Sequence, residues 1–158
     1  MAQAEAIVTM TLPDEAATAA LGRSLAPRLR ARDVVALRGD LGAGKTSLAR
    51  SLIRTLSGDD ELAVPSPTFT LVEIYDTAAG PVWHLDLYRL TAAEEAWELG
   101  IEQGFAEAIA LIEWPDRLGD LLPSRRLDLS LAVDGEGRRA TFSGDASWRA
   151  RLAGLAVA

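Results

Sequence analysis

The residues best suited to chemistry in this 158-residue chain form one stretch, Gly39-Asp40-Leu41-Gly42-Ala43-Gly44-Lys45-Thr46. The stretch follows the template G-x-x-x-x-G-K-[ST] of a phosphate-binding P-loop. In such a loop the backbone N–H groups surround a polyphosphate, the lysine reaches the β- and γ-phosphates, and the last hydroxyl is a ligand for Mg²⁺. Lys45 is also the only lysine of the chain. The pattern predicts a site for a nucleoside triphosphate with Mg²⁺, with contacts that extend to Ser47.

Two carboxylates are candidates for organising the metal and the attacking water, which hydrolysis requires in addition to a P-loop. Glu113 follows the apolar run 109–112, so it should project from the carboxyl edge of a sheet, where ligands of open α/β folds bind. Asp86 lies in another apolar run and needs a partner there, which is either Mg²⁺ or Arg89. We expect metal binding or catalysis at both carboxylates, and the pattern leaves open which of them positions the water.

Three further side chains near these motifs have functional interpretations. Thr68, in the double-proline loop 64–69, either closes on the γ-phosphate as a switch residue or belongs to a rigid turn. Trp114 either covers the nucleotide or packs in the core. His84, the only histidine, is expected to order a hydrogen-bond network, because the chain offers no second His and no Cys to share a metal. No N-K-x-D pattern is present to read guanine, which favours adenine.

The runs around the P-loop predict the elements that position these residues. The apolar run 33–38 before the loop is typical of a buried parallel strand, and the helical spacing after it predicts a helix that stops at Gly58. A second buried strand is predicted over 108–112. Strands that alternate with helices predict an α/β fold, a P-loop NTPase-type three-layer α/β/α sandwich with a mixed, centrally parallel sheet. The length predicts a single domain over 1–158.

The start and end of the chain have weaker signals. Residues 5–10 are expected to form an edge strand, and a capping box at 11–14 should open a helix behind it. Pro27 should either kink this helix or end it near Ala26. A last helix is expected from about Asp145.

Turn signals in the second half predict two hairpins and a short helix. The predicted hairpins pair 70–76 with 82–88, through a connection at 77–81, and 127–133 with 138–142. Thr91 is expected to cap the short helix, and Gly100 and Gly104 are expected to break the helical stretch that follows.

The composition limits the classes of partner. A net charge of −7 and a pI near 4.7 argue against unaided, charge-driven binding to DNA, RNA or an anionic membrane. The absence of cysteine excludes disulfides and thiolate metal sites, which suits a reducing compartment. Residues 1–10 lack the features of a signal peptide, and no stretch approaches the roughly 18 apolar residues that span a bilayer. We therefore expect a cytoplasmic protein that uses no membrane.

Taken in order, the motifs resemble those of the TsaE (YjeE) family, the P-loop ATPases of bacterial tRNA threonylcarbamoyladenosine synthesis. The P-loop itself is common to many families, whereas the other blocks are specific to this one. They are Leu12-Pro13-Asp14-Glu15, Ser66-Pro67-Thr68-Phe69-Thr70-Leu71-Val72-Glu73, His84-Leu85-Asp86-Leu87-Tyr88-Arg89-Leu90, Glu98-Leu99-Gly100 and Leu111-Ile112-Glu113-Trp114-Pro115. The match runs nearly from end to end, with small departures such as Leu85, where the family commonly has an aromatic residue.

The resemblance implies ATP as the nucleotide and a role for several positions. In the family the positions of Thr46 and Glu113 bind Mg²⁺, that of Asp86 is needed for hydrolysis, and the loop 66–70 acts as a switch. The implied partners are TsaD and TsaB, which transfer a threonylcarbamoyl group to adenosine 37 of tRNAs that read ANN codons. The acidic charge agrees with action on this protein complex, so that tRNA is contacted only indirectly. ATP binding would then dock the protein, and hydrolysis would reset the transferase between turnovers.

Two other functions are compatible with a P-loop in a domain of this size. A small-molecule kinase would need an acceptor pocket and a mobile, Arg-bearing lid, and the sequence shows no pattern for either. A nucleotide-gated binding module would bind ATP without significant turnover. Hydrolysis measured alone and then with the partner proteins distinguishes these alternatives.

Overall fold

The strands of the protein form one mixed sheet in a computed structural model that describes residues 6–155. They are β1 (Ala6–Leu12), β2 (Val34–Arg38), β3 (Val72–Thr77), β4 (Gly80–Asp86), β5 (Ile109–Glu113), β6 (Leu127–Asp134) and β7 (Gly137–Ser143). Their order is β1-β7-β6-β2-β5-β4-β3. The four strands β6, β2, β5 and β4 are parallel, whereas β1, β7 and β3 pair antiparallel with their neighbours. The prediction of a mixed, centrally parallel sheet with a first edge strand is confirmed, and position 5 of that strand lies outside the described residues.

Helices cover both faces of the sheet. They are α1 (Glu15–Leu25), α2 (Lys45–Ser57), α3 (Ala93–Glu98), α4 (Ile101–Glu107) and α5 (Ala146–Arg151), with 3-10 turns at Ala26–Arg28 and Pro115–Leu121. In β2, Val35 and Leu37 pack in the apolar cluster of α1, α2 and α5, while Val34 packs on the opposite face with α3 and α4. This is the predicted three-layer sandwich. Among the described residues, no helix has both the length and the apolarity needed to cross a bilayer.

Two helix N-caps differ from the predictions. The backbone N–H of Ala17 donates to the carboxylate of Asp14 at 2.8 Å, so Asp14 caps α1. The capping box predicted at 11–14 requires Thr11 as the N-cap, and this is wrong because Thr11 lies inside β1. The N-cap of α3 is Ala92, one residue after the predicted Thr91. The side chain of Thr91 instead donates to the carboxylate of Glu95, which also accepts from the backbone N–H of Ala92. Both donors lie before the first residue of α3.

The helix interruptions follow the predictions except at one glycine. Helix α1 ends at Leu25 and Pro27 lies in the 3-10 turn, so the alternative in which the helix ends is correct. Gly100 has a left-handed backbone with φ of 82° and separates α3 from α4. The break predicted at Gly104 is wrong, because this residue lies within α4. There a Cβ atom would come within 2.7 Å of the Trp83 ring, so the glycine permits close packing of helix on sheet.

Both predicted hairpins are present, and the last one turns where expected. Asp134 lies opposite Gly137 in the β6–β7 pair, which leaves a turn of two residues between them. The β3–β4 connection is also a tight turn, since Thr77 lies opposite Gly80, and it is shorter than the predicted connection at 77–81. The last helix, predicted from about Asp145, is α5, and Asp145 is its N-cap.

Candidate functional site

The P-loop connects β2 to α2 and depends on glycine at both of its ends. Gly39 has φ of 144°, and a Cβ atom there would lie 2.4 Å from the carbonyl oxygen of Leu131 in β6. Gly44 has φ of 102° and forms the left-handed N-cap of α2. Left-handed backbone costs other residues roughly 1–2 kcal/mol each. The template glycines are therefore explained by backbone conformation at Gly44 and by both conformation and close approach at Gly39.

Lys45 lies folded into the site. Its Nζ donates a hydrogen bond to the carbonyl of Gly39 and lies 3.6 Å from the centre of the Trp114 ring, a cation–π contact. Only 4% of the residue is exposed. Burial lowers the pKa of Lys45, while the carboxylates of Glu113, Asp86 and Asp40 act in the opposite direction. The ammonium is thus desolvated and contacts a carbonyl and an aromatic ring, neither of which has a formal charge, so a polyphosphate is well suited to attract it away from them.

A chain of hydrogen bonds links the P-loop to the next strand of the sheet. Thr46 Oγ1 donates to Glu113 Oε1 at 2.8 Å, and His84 Nε2 lies 2.7 Å from Glu113 Oε2. Glu113 and His84 are both buried. Because a carboxylate only accepts, His84 Nε2 donates, and its Nδ1 finds no partner among residues 6–155. The expectation that His84 orders a hydrogen-bond network is confirmed, and the network fixes the orientation of Glu113.

The second carboxylate lies beside the first because of the strand register. Asp86, the last residue of β4, is opposite Glu113, the last residue of the parallel strand β5. Its Oδ1 accepts from the backbone N–H of Tyr88 at 3.1 Å, and Thr68 Oγ1 lies 3.5 Å from its Oδ2. Arg89, the simpler partner considered for Asp86, instead places its guanidinium 4.7 Å from the Phe69 ring. The structure therefore brings Asp86 and Thr68 together at the edge of the site.

Trp114 covers the lysine side of the site. Its backbone is left-handed, with φ of 59°, which directs the chain away from β5 immediately after Glu113. Its ring is half-buried and lies 5.0 Å from that of Tyr88, at a tilt of 47°. The ring faces Lys45 and also packs against the apolar cluster on the α3 and α4 side of the sheet, so both interpretations made from sequence, a cover for the nucleotide and a core aromatic, stay predictions.

These residues line a cavity of about 530 Å³, a size suited to a nucleotide. The predicted residues on its wall are Leu41, Gly42, Gly44, Lys45, Thr46, Ser47, Thr68, Asp86, Glu113 and Trp114. Gly39, Asp40 and Ala43, which were also predicted to bind the nucleotide, do not line this cavity; Asp40 is exposed and Ala43 is buried. One end of the wall was missed by sequence reasoning, namely Leu12, Asp14, Glu15, Thr18, Glu136, Gly137 and Arg138. Asp14 and Glu15 are in a motif quoted above, but only the sheet order brings the β6–β7 turn next to them.

The donor set fits a magnesium–nucleotide complex better than a free metal ion. Thr46, Glu113 and Asp86 offer hydroxyl and carboxylate oxygens, which Mg²⁺ prefers. Among the described residues, no group of three or more His, Cys, Asp or Glu side chains forms a metal site by itself. Mg²⁺ is usually held by one or two carboxylates together with substrate phosphates and water. The residues present fit that pattern.

A family model described as threonylcarbamoyl adenosine biosynthesis protein TsaE matches residues 12–141. The chain belongs to the TsaE family. The tRNA threonylcarbamoyladenosine biosynthesis protein TsaE of Rickettsia felis is 38% identical over 130 residues, covering 82% of this chain and 75% of the relative. The protein of the same name from Synechocystis is 42% identical over 117 residues, covering 70% and 71%. The sequence resemblance is thus confirmed, and with it a family role in threonylcarbamoyl adenosine biosynthesis.

A solved structure supports the architecture. The crystal structure of Bacillus subtilis YdiB superposes with a TM-score of 0.75, covering 97% of this chain and 95% of YdiB. At 23% sequence identity this similarity concerns the fold alone.

Proposed function

We propose that the protein is a Mg²⁺-dependent ATPase that acts on the TsaD–TsaB transferase through ATP binding and hydrolysis. Through this action it would serve threonylcarbamoyl modification of adenosine 37 in tRNAs that read ANN codons. The observation that carries the proposal is the link from Thr46 of the P-loop to Glu113, with Asp86 beside it. A P-loop hydroxyl joined to the carboxylate of a neighbouring strand is the arrangement that organises Mg²⁺ for phosphoryl transfer. Membership of the TsaE family supplies the pathway.

The geometry supports different roles for the two carboxylates. Both oxygens of Glu113 already have donors, Thr46 and His84, so Glu113 is held for metal binding together with the Thr46 hydroxyl. Within residues 6–155, Asp86 Oδ2 has only the long contact to Thr68, which leaves it free to accept a hydrogen bond from the attacking water. When bound, Mg²⁺ would neutralise charge on the phosphate oxygens. Lys45 would leave Gly39 and Trp114 to bind the β- and γ-phosphates.

The remaining parts of the proposal concern base and partners. Adenine is favoured because the chain lacks the guanine-reading pattern. The net charge of −7 favours contact with the TsaD and TsaB proteins over direct contact with tRNA. We take the chain to act as one cytoplasmic domain, with the loop around Thr68 as the segment that responds to the γ-phosphate.

The first experiment measures ATP hydrolysis by the protein alone and with TsaD and TsaB. We expect slow hydrolysis alone, faster hydrolysis with the partners, and a large loss in Lys45→Ala, because no other lysine exists to replace it. Transfer of phosphate to a metabolite would favour the kinase alternative. Binding of ATP without turnover under either condition would favour the nucleotide-gated module.

The second experiment tests the reset step. Asp86→Ala and Glu113→Ala variants are assayed for multiple rounds of tRNA modification in the reconstituted system. We expect a single round followed by arrest, because hydrolysis would be lost. Sustained modification at the wild-type rate by either hydrolysis-deficient variant would contradict the reset step.

A further inference from the structure

Arg138 of β7 connects the last hairpin to the P-loop. Its Nε donates to the carbonyl of Ala43 at 3.1 Å, and its Nη2 donates to the carbonyl of Gly42 at 2.9 Å. Its Nη1 donates to the carbonyl of Gly137 at 2.9 Å, next to it in the same strand. All three guanidinium nitrogens are thereby bonded to backbone carbonyls, two of them in the P-loop.

The alternation of β7 explains why this arginine reaches the loop and its neighbour does not. Ala140 and Phe142 are buried in the cluster beneath α1 and α2. Side chains two residues apart share a face of a strand, so Arg138 points to this same side, where the P-loop lies. Arg139 points to the other face, where its side chain is 54% exposed and pairs with Asp134 at 3.2 Å.

The neighbouring strand of the hairpin supports the ends of the same loop. The carbonyl of Leu131 in β6 occupies the space that a side chain at Gly39 would need. The Cδ1 atom of Leu131 would lie 3.9 Å from a Cβ atom added at Gly44. The β6–β7 hairpin therefore contacts the P-loop at its first glycine, at its last glycine and, through Arg138, in between.

We infer that Arg138 is a positioning residue for phosphate binding: it holds the carbonyls of Gly42 and Ala43 so that they face away from the nucleotide. In a trans peptide the C=O and the following N–H point in opposite directions, so a fixed Ala43 carbonyl fixes the N–H of Gly44, which lines the cavity. The guanidinium also offsets the negative ends of two carbonyls that lie near an anionic ligand. The inference rests on the proposed ATP site, and it adds a residue that no P-loop template contains.

The test compares three variants of the full chain, Arg138→Ala, Arg138→Lys and the control Arg139→Ala. For each we would measure the dissociation constant for ATP, and KM and kcat for hydrolysis. Thermal unfolding without nucleotide reports whether each variant folds. Arg138→Ala removes two charge-assisted hydrogen bonds to the P-loop, so the bound ATP would have to order the loop. ATP binding should therefore weaken about tenfold to a hundredfold in this variant. KM should rise in parallel, with kcat at saturation within about threefold of wild type.

The lysine variant distinguishes positioning from charge alone. A single ammonium cannot bond both carbonyls in the forked geometry of arginine, so Arg138→Lys should recover only a minor part of the lost affinity. Arg139→Ala should bind as wild type. Unchanged affinity in Arg138→Ala, full recovery in Arg138→Lys, or a fall in kcat at unchanged KM would each overturn the inference. If wild type itself binds no ATP, the proposed function fails; if wild type binds and Arg138→Ala binds equally well, only the role of Arg138 fails.

Discussion

Replacement of His84 by alanine is expected to destabilise the protein and to weaken its use of Mg²⁺. The imidazole is wholly buried, and its bond to Glu113 spans 2.7 Å. Losing a hydrogen bond to a buried charged group typically costs about 1.5–3 kcal/mol, because Glu113 Oε2 is left unpaired while Oε1 keeps its bond from Thr46. In a domain of this length, each kcal/mol lowers the melting temperature by about 2–4 °C, which gives a decrease of roughly 3–12 °C.

The assay for this prediction combines urea unfolding with a magnesium titration of the ATPase. Glu113 would keep only Thr46 as a donor, so the Mg²⁺ concentration at half-maximal rate should rise about 10–100-fold, as for the loss of other groups that orient metal ligands. Reasoning from the hydrogen bond further predicts that His84→Gln, whose amide can donate to Glu113, is less damaging in both measurements. Unfolding free energies within 1 kcal/mol of wild type for His84→Ala, or equal damage from both variants, would refute the role assigned to His84.

Two other perturbations have expectations set by backbone geometry and capping. Gly39→Ala should lower the free energy of unfolding, measured in urea, by more than Gly42→Ala does. A Cβ atom at Gly39 would overlap the Leu131 carbonyl, whereas one at Gly42 has nothing within 4 Å. The cost of Gly42→Ala therefore comes from the left-handed backbone alone, with φ of 80°, and is about 1–2 kcal/mol. Asp145→Ala should cost about 1 kcal/mol at pH 7, because Asp145 caps α5. The Ser147 hydroxyl and the Trp148 N–H lower the pKa of Asp145 below its ordinary 3.8. The stabilisation by this cap is therefore fully present well above pH 3.8 and is lost as the pH falls through the folded-state pKa. The unfolding free energies of wild type and Asp145→Ala should therefore converge below pH 4, and a constant difference down to acid unfolding would contradict the ionised cap.

Contiguous patterns allowed much of the fold and half of the site to be predicted. The P-loop residues are adjacent in sequence, and the flanking apolar runs identify β2 and α2 around them. Glu113 and Asp86 could be selected because each is a carboxylate in an otherwise apolar run, where a charge needs a partner. Their position side by side required the register of two parallel strands, which no local pattern specifies.

The parts that were missed depend on contacts between distant segments or on the backbone conformation at helix starts. Arg138 is 95 residues from Ala43, and an arginine in an amphipathic strand looks the same whether it faces solvent or a loop. Thr91 and Thr11 were chosen as caps by residue type, yet chain geometry placed the helix starts after Ala92 and Asp14. Gly104 was taken for a helix break because glycine usually weakens helices, whereas here the Trp83 ring requires the missing side chain.

The contact between Lys45 and Trp114 makes the protein its own optical probe. Indole emission depends on nearby charge, and the ammonium lies 3.6 Å from the ring centre when the lysine is folded back onto Gly39. Movement of that charge toward a polyphosphate would change the spectrum of Trp114. Of the chain's four tryptophans, Trp83 and Trp148 are buried and Trp97 lies on α3, so phenylalanine at these three positions would isolate the signal. Stopped-flow fluorescence could then time the movement of a single side chain in each catalytic cycle without an attached dye.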